Sequence, residues 1–285
     1  MRLFQKLFGK RGSSSLLPSP TEEGNESKGH TLVVGALTDK GCVRERNEDA
    51  LFTLSTVFSQ DEEMLPMSLY IVADGMGGYE GGQQASALTV RLVANWILSK
   101  LYLPYLLDEG HSADRRPINQ VLTEGTVIAN GKVFEACPGA GTTLTCAFVL
   151  GTNAFLAHVG DSRAYLVSRN TIRQITTDHS LVNRLVELGQ ITPEEAKIHP
   201  QRNILYRALG RAGNLEVDTH LQSLPLNSSL LLCSDGLWGM IPEAEMLKII
   251  NAAPSPQVAC NRLVAQAKEN GGEDNITAIL VQVRG

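Results

Sequence analysis

The sequence predicts an α+β fold built on a largely antiparallel sheet, and three observations carry that expectation. Short apolar runs rich in β-formers recur along the chain. Several neighbouring runs are joined only by GTN, GDSR or SRN, links that suit hairpins and are too short for parallel crossovers. Stretches of helical periodicity fall between groups of strands instead of alternating with single ones.

Taken in order, residues 1–30 stand apart from the rest. MRLFQKLFGKR sets Leu3, Phe4, Leu7 and Phe8 at helical spacing among basic residues, and GSSSLLPSPTEEGNESKG has linker composition. The segment reads as a frayed tail rather than a membrane-binding helix, because isolated helices of this length are marginal in water. From Thr31 to Gly285 no break in composition marks a second domain. Strands are expected at 31–38, 50–57, 68–74, 142–150, 153–159, 163–168, 171–175, 214–221, 229–234 and 275–283. Helices are expected at 80–103, with Ala85, Leu88, Leu92 and Trp96 on one face, and at 117–134, with Ile118, Val121, Leu122, Ile128 and Ala129. Pro242 and Pro256 begin two more, the second with Ser255 as N-cap and Gly271 and Gly272 as its stop. Segment 176–213 reads as a helical excursion from the sheet, with a capping box from Thr192 to Glu195 and Pro193 at the first helical position.

Composition excludes several classes of function. The 285-residue chain is 43% hydrophobic and 19% charged, with a formal net charge of −5, so a global positive field for nucleic acid is absent. Five widely spaced cysteines without a CxxC pair indicate neither a disulfide framework nor a zinc ribbon. The basic start lacks the apolar core of a secretion signal, and a cytoplasmic protein is the expectation. The glycosylation-like triplets beginning at Asn25, Asn227 and Asn275 therefore carry no weight.

Acidic residues interrupt this apolar pattern at strand ends. Asp74 closes LYIVAD, Asp235 closes LLLCSD, Asp161 lies in HVGDSRAYL, Asp274 precedes NITAILVQV, and Glu48 with Asp49 precedes ALFTLSTV. Any one of them alone reads more simply as a turn former. Together they are a costly choice unless a cation offsets their charge. An all-oxygen cluster suits magnesium or manganese better than zinc, and metal-assisted hydrolysis of a phosphoester is the chemistry that such a pair of ions performs.

The ordered set GCVRERNEDA (41–50), VADGMGG (72–78), GTT (141–143), VGDSRAY (159–165), CSDGLW (233–238) and EDNIT (273–277) resembles the metal-dependent protein phosphatase 2C family in its compact bacterial form. The resemblance implies a four-layer αββα sandwich over residues 31–285 that hydrolyses phosphoserine and phosphothreonine in proteins. It implies two to three manganese or magnesium ions. Asp74 would bridge two of them with the Gly75 carbonyl as a further ligand; Glu48 would support one ion, and Asp235 and Asp274 the other. Asp161 would hold a third ion together with Asp235, Asp49 would orient a metal-bound water, and Arg44 would bind the phosphate. Arg163 is expected to be structural, and 176–213 corresponds to a flap beside the site. The implied partners are phosphorylated proteins and an opposing serine/threonine kinase pathway, with the phosphatase acting as a monomer.

One position departs from part of the family. Animal members carry a histidine two residues after the bridging aspartate as proton donor, and here that place is Met76, which has no proton to give. Water on a third ion is one substitute. His179 is another, although its position reads first as an exposed loop. Other phosphate chemistries fail on spacing. GTVIANGKV (125–133) has five residues between its glycines and Val133 in place of Ser or Thr, and no cysteine has arginine six positions on.

Overall fold

The computed structural model describes residues 30–60, 63–77, 81–106 and 116–285. The expectations for the tail at 1–29 lie outside the described residues. Among the described residues eleven strands form two antiparallel sheets. The first contains β1 (Thr31–Asp39), β7 (Arg163–Val167), β8 (Ile172–Gln174), β10 (Ser229–Cys233) and β11 (Ile276–Arg284), in the order β1-β11-β10-β7-β8. The second orders β2 (Asp49–Gln60), β3 (Glu63–Met76), β5 (Leu144–Leu150), β6 (Asn153–Val159) and β9 (Asp218–Ser223) as β2-β3-β5-β6-β9, with the short β4 (Gly141–Thr142) pairing the end of β3.

The strands alternate their side chains between two apolar layers, as a period of two requires. Tyr70 and Val72 of β3 point between the sheets, where they join Leu156, Leu230, Leu232, Ile279 and Val281. Leu69, Ile71 and Ala73 of the same strand point outward, against Val93 and Ile97 of α1 (Gly81–Ile97) and Leu122 and Ala129 of the helix Ile118–Ala136. The other sheet does likewise with Leu231, Cys233, Ala278 and Leu280. These residues pack on Met246 and Ile250 of Glu243–Ala252 and on Leu263, Val264 and Ala267 of Pro256–Glu269. Helix, sheet, sheet and helix stack as four layers. Both faces of the inner strands are covered, and every residue of β5 and β10 is buried.

Several boundaries differ from the sequence expectation: β2 and β3 run longer, to Asp49–Gln60 and Glu63–Met76, and the run at 142–150 divides into β4 and β5. The helix expected over 80–103 stops being α-helical at Ile97 and widens into a π-helical turn at Leu98–Tyr102, where the Leu103 N–H reaches the Leu98 carbonyl five residues back. Pro104 lies just beyond, and a proline both lacks an N–H and crowds the carbonyl four residues earlier, so a wider turn relieves the clash. The strand expected at 214–221 begins instead at Asp218 and runs to Ser223. Leu215 and Val217 supplied the apolar signal there, but they pack on the core without joining the ladder. The caps at Ser255 and at Thr192–Glu195 form as expected, whereas Pro242 is the N-cap rather than the first helical residue.

Leu232 lies fully buried between the sheets. Leu232→Ala is expected to lower unfolding free energy by roughly 2–5 kcal/mol, measured by urea denaturation with an unchanged slope.

Candidate functional site

The acidic residues gather at one end of the sandwich because the strands that carry them end there. Asp49 and Asp74 are direct partners in the β2–β3 ladder. Asp235 follows β10, Asp274 precedes β11, and β11 pairs with β10. Asp161 sits on the turn from β6 to β7. Asp49 and Asp161 are buried, while Glu48, Asp74, Asp235 and Asp274 are half-buried.

Small residues let these chains approach one another. A Cβ on Gly75 would lie 2.2 Å from the Gly82 carbonyl oxygen and 2.6 Å from that of Glu48, and one on Gly82 would lie 2.7 Å from Glu48 Oε2. Gly236 is equally confined, 2.2 Å from the Asn275 oxygen. The Gly75 N–H donates to the Glu48 carbonyl at 3.1 Å. Any side chain at these positions would push the carboxylate-bearing segments apart.

Hydroxyls and one amide hold the acids in place, and sequence reading assigned none of them a role. Thr143 Oγ1 accepts from the Asp74 N–H at 2.9 Å, and Thr142 Oγ1 donates to the Asp74 carbonyl at 2.8 Å. Ser234 and Thr277 both donate to Asp49 Oδ2, at 2.7 and 2.6 Å. Asn275 accepts from the Glu48 N–H at 2.7 Å and donates to the carbonyls of Lys40 and Arg46, tying the Glu48 segment to the start of β11. The triplet at Asn275 is thus a buried clasp. The available signal was small polar residues within the short motifs: Ser234 in CSD and Asn275 and Thr277 in EDNIT lie close to an acid, and Thr142 and Thr143 form GTT.

The electrostatics follow from crowding. Burial raises Asp74 well above the usual carboxylate range, and the charges of Asp49, Asp235, Asp161 and Asp274 add to it. Burial also pushes Asp49 up to about 7 against the pull of its two hydroxyl donors. Asp235 rises to about 6 through burial and the charge of Asp274, offset in part by a hydrogen bond with the Asp74 carboxyl. Asp161 is raised by burial, then by Asp235 and Asp178. Arg44 is half-exposed and donates from Nη2 to Asp274 Oδ2 at 2.7 Å.

The donors fit a hard divalent cation. Asp49 Oδ1 and Asp235 Oδ1 are buried oxygens with no hydrogen-bond partner, a costly arrangement for carboxylates unless a cation faces them. The donor set is entirely oxygen, which suits magnesium or manganese. Among the described residues no three acidic, histidine or cysteine side chains are already closed into a metal-sized cage.

Two other expectations resolve clearly. Arg163 is structural: it grips Asp178 through Nε and Nη2, and its guanidinium lies 3.5 Å from the Trp238 ring centroid. His179 is not an exposed loop residue but is 1% exposed. Its Nδ1 accepts from the Gly160 N–H, and its Nε2 faces Asp218 and Arg207. Burial and the Arg207 charge lower its pKa, so it is poorly suited to deliver a proton to a substrate. Segment 176–213 carries the helices Leu181–Glu187 and Pro193–Lys197, and its two roots are bridged at Ser180–Leu205 and Thr142–Leu209.

A four-layer αββα sandwich with an all-oxygen acidic centre at one end defines the class of protein. The chain belongs to the protein phosphatase 2C family, whose model matches residues 36–203. The chain is 40% identical to the serine/threonine phosphatase stp of Listeria welshimeri over 246 residues, 86% of this chain and 93% of that one. It is 34% identical to protein phosphatase PhpP of Streptococcus pneumoniae, covering 88% of this chain and 98% of that protein. Among solved structures it matches the Streptococcus agalactiae serine/threonine phosphatase with a TM-score of 0.73 at 32% identity, covering 88% and 99% of the two chains. It also matches the catalytic domain of the phosphatase PstP in complex with two manganese ions, with a TM-score of 0.69 at 29% identity over 90% and 100%.

A carboxyl whose folded pKa is raised contributes most to stability below its unfolded value near 3.8, and that contribution is lost as pH rises through the folded value. With a chelator present, Asp49→Asn is therefore expected to gain stability relative to wild type as pH rises from about 4 to about 7. Paired thermal unfolding across that range measures the difference, to which relief of Asp74 from the Asp49 charge adds in the same direction. A constant difference would contradict the raised pKa.

Proposed function

We propose that this chain is a metal-dependent protein phosphatase that removes phosphate from phosphoserine and phosphothreonine in proteins. The observation that carries the reading is the pair of orphaned, buried carboxylate oxygens, on Asp49 and Asp235, at the acidic end of the sandwich. The relatives in Listeria and Streptococcus, a serine/threonine phosphatase and a protein phosphatase, support the substrate class, and the manganese ions of the PstP structure support the cofactor.

On this reading Glu48, Asp74, the Gly75 carbonyl, Asp235 and Asp274 would hold two manganese or magnesium ions, and Asp161 with Asp235 would hold a third. Such ions, when bound, supply Lewis acidity and an activated water at neutral pH. The chain's own groups do the rest. Asp49, bolted through Oδ2 by Ser234 and Thr277, presents Oδ1 to orient that water. Arg44, anchored at the mouth by Asp274, turns its remaining N–H donors to the phosphate oxygens. Met76 cannot act as the acid, and with His179 occupied on both nitrogens the leaving oxygen takes its proton from solvent in the site.

The catalytic domain spans residues 31–285, preceded by a tail at 1–30. One chain carries every site residue, so a monomer suffices. A cytoplasmic setting opposite a serine/threonine kinase suits the five free thiols. No helix among the described residues is long and apolar enough to cross a membrane.

With manganese, the protein is expected to hydrolyse a phosphothreonine peptide and p-nitrophenyl phosphate, and chelation should abolish both activities. Asp74→Asn should cost at least the 10–100-fold that loss of a supporting contact costs a metal site. Failure of the wild type with both manganese and magnesium would overturn the assignment and leave a phosphoprotein-binding module instead.

A further inference from the structure

Asp161 enters the acidic centre on a thin turn. Gly160 adopts φ +109°, and a Cβ there would lie 2.6 Å from Thr143 Cγ2. The turn therefore has no side-chain bulk before Asp161 to hold its direction, and backbone hydrogen bonds must set it. His179 supplies two: its N–H donates to the Gly160 carbonyl at 2.7 Å, and its Nδ1 accepts from the Gly160 N–H at 3.0 Å. The Trp238 indole N–H holds the next carbonyl, that of Asp161, at 3.0 Å.

The ring is itself held in one tautomer. Because Nδ1 accepts, the proton sits on Nε2 and is donated to Asp218 Oδ2 at 3.2 Å; Arg207 Nη1, 3.0 Å from the same nitrogen, can only donate and directs its proton to Asp218 Oδ1. Arg207, from the root of the excursion, donates to Asp218 Oδ1 at 2.7 Å and to Glu216 at 2.5 Å, which fixes the carboxylate that fixes the ring. His158 packs 4.9 Å from the ring centroid and Tyr206 5.7 Å, closing its faces. A ring that merely filled space would need no acceptor at Nδ1. Here its loss would leave the buried Gly160 N–H unpaired beside a cluster of repelling carboxylates.

We propose that His179 is a positioning residue for Asp161. Its Nδ1, kept in acceptor form by Asp218, fixes Gly160 and so aims the Asp161 carboxylate toward the cation it shares with Asp235. The proposal rests on the metal reading given above. It assigns His179 no proton transfer and no contact with substrate. It also extends the site to Asp218 and Arg207, which lie outside the acidic centre.

Isosteric amides separate the two ring nitrogens. His179→Asn puts an amide oxygen near the place of Nδ1 and keeps an acceptor for Gly160, whereas His179→Gln reaches toward Asp218 and abandons Gly160. Manganese binding to the full chain, followed by calorimetry alongside thermal unfolding, should show that Asp161→Asn loses the weakest site. The Gln variant should weaken that same site about tenfold or more and spare the tighter ones, and the Asn variant should stay within about threefold of wild type. Equal weakening by Asn and Gln, or wild-type binding by Gln, overturns the proposal. If the Gln variant does not fold, loss of the weak site in the Asn variant overturns it and retention supports it. No manganese binding by wild type, or an unchanged profile in Asp161→Asn, would bring down the metal reading itself and the positioning role with it.

Discussion

Asp49 and Asp74 stand opposite one another on adjacent antiparallel strands, where like charges repel. Everything around the acidic end answers that repulsion. Two hydroxyls bolt Asp49 from behind, two threonines hold the Asp74 backbone on both its N–H and its carbonyl, and Asn275 clasps the Glu48 segment to β11. Without such restraint the acids would turn outward into water, which is the cheaper state for an unpaired carboxylate.

The sandwich supplies the rigidity that this requires. Two sheets share one apolar layer, so the ends of β2 and β3 in one sheet and of β10 and β11 in the other are fixed relative to each other. Acids on separate sheets can then face a common point without a flexible linker between them. Glycines at 75, 82 and 236 allow the last approach, where a single methyl group would meet backbone or carboxylate atoms under 3 Å away. Strain of this kind is typical of a site shaped for a ligand rather than for maximal stability.

Much of this was legible in the sequence. Hairpin-length links and short apolar runs identified antiparallel strands, the motif resemblance implied the two-sheet sandwich, and six acids at strand ends pointed to the centre. What stayed hidden was whatever depends on long-range placement. Asn275 reads as an ordinary surface triplet until β11 lies beside the Glu48 segment. His179 reads as a loop residue because nothing local reveals that Gly160, Asp218 and Arg207 will enclose it. Pro104 was visible, but the response of the preceding turn, a widening to π-helix rather than a clean stop, depends on the packing of Leu98 and Leu101 against the core. Leu215 and Val217 misled in the opposite direction, since apolar pattern reports burial and not ladder pairing.

The central claim is that this end of the fold is held under electrostatic strain that a divalent cation relieves. Thermal unfolding of the metal-free protein with and without manganese tests it most directly, with Asp74→Asn beside the wild type. Manganese is expected to raise the wild-type Tm, Asp74→Asn to be the more stable of the two without metal, and its response to manganese to be largely gone. A metal-free variant no more stable than wild type, with an undiminished manganese response, would contradict it.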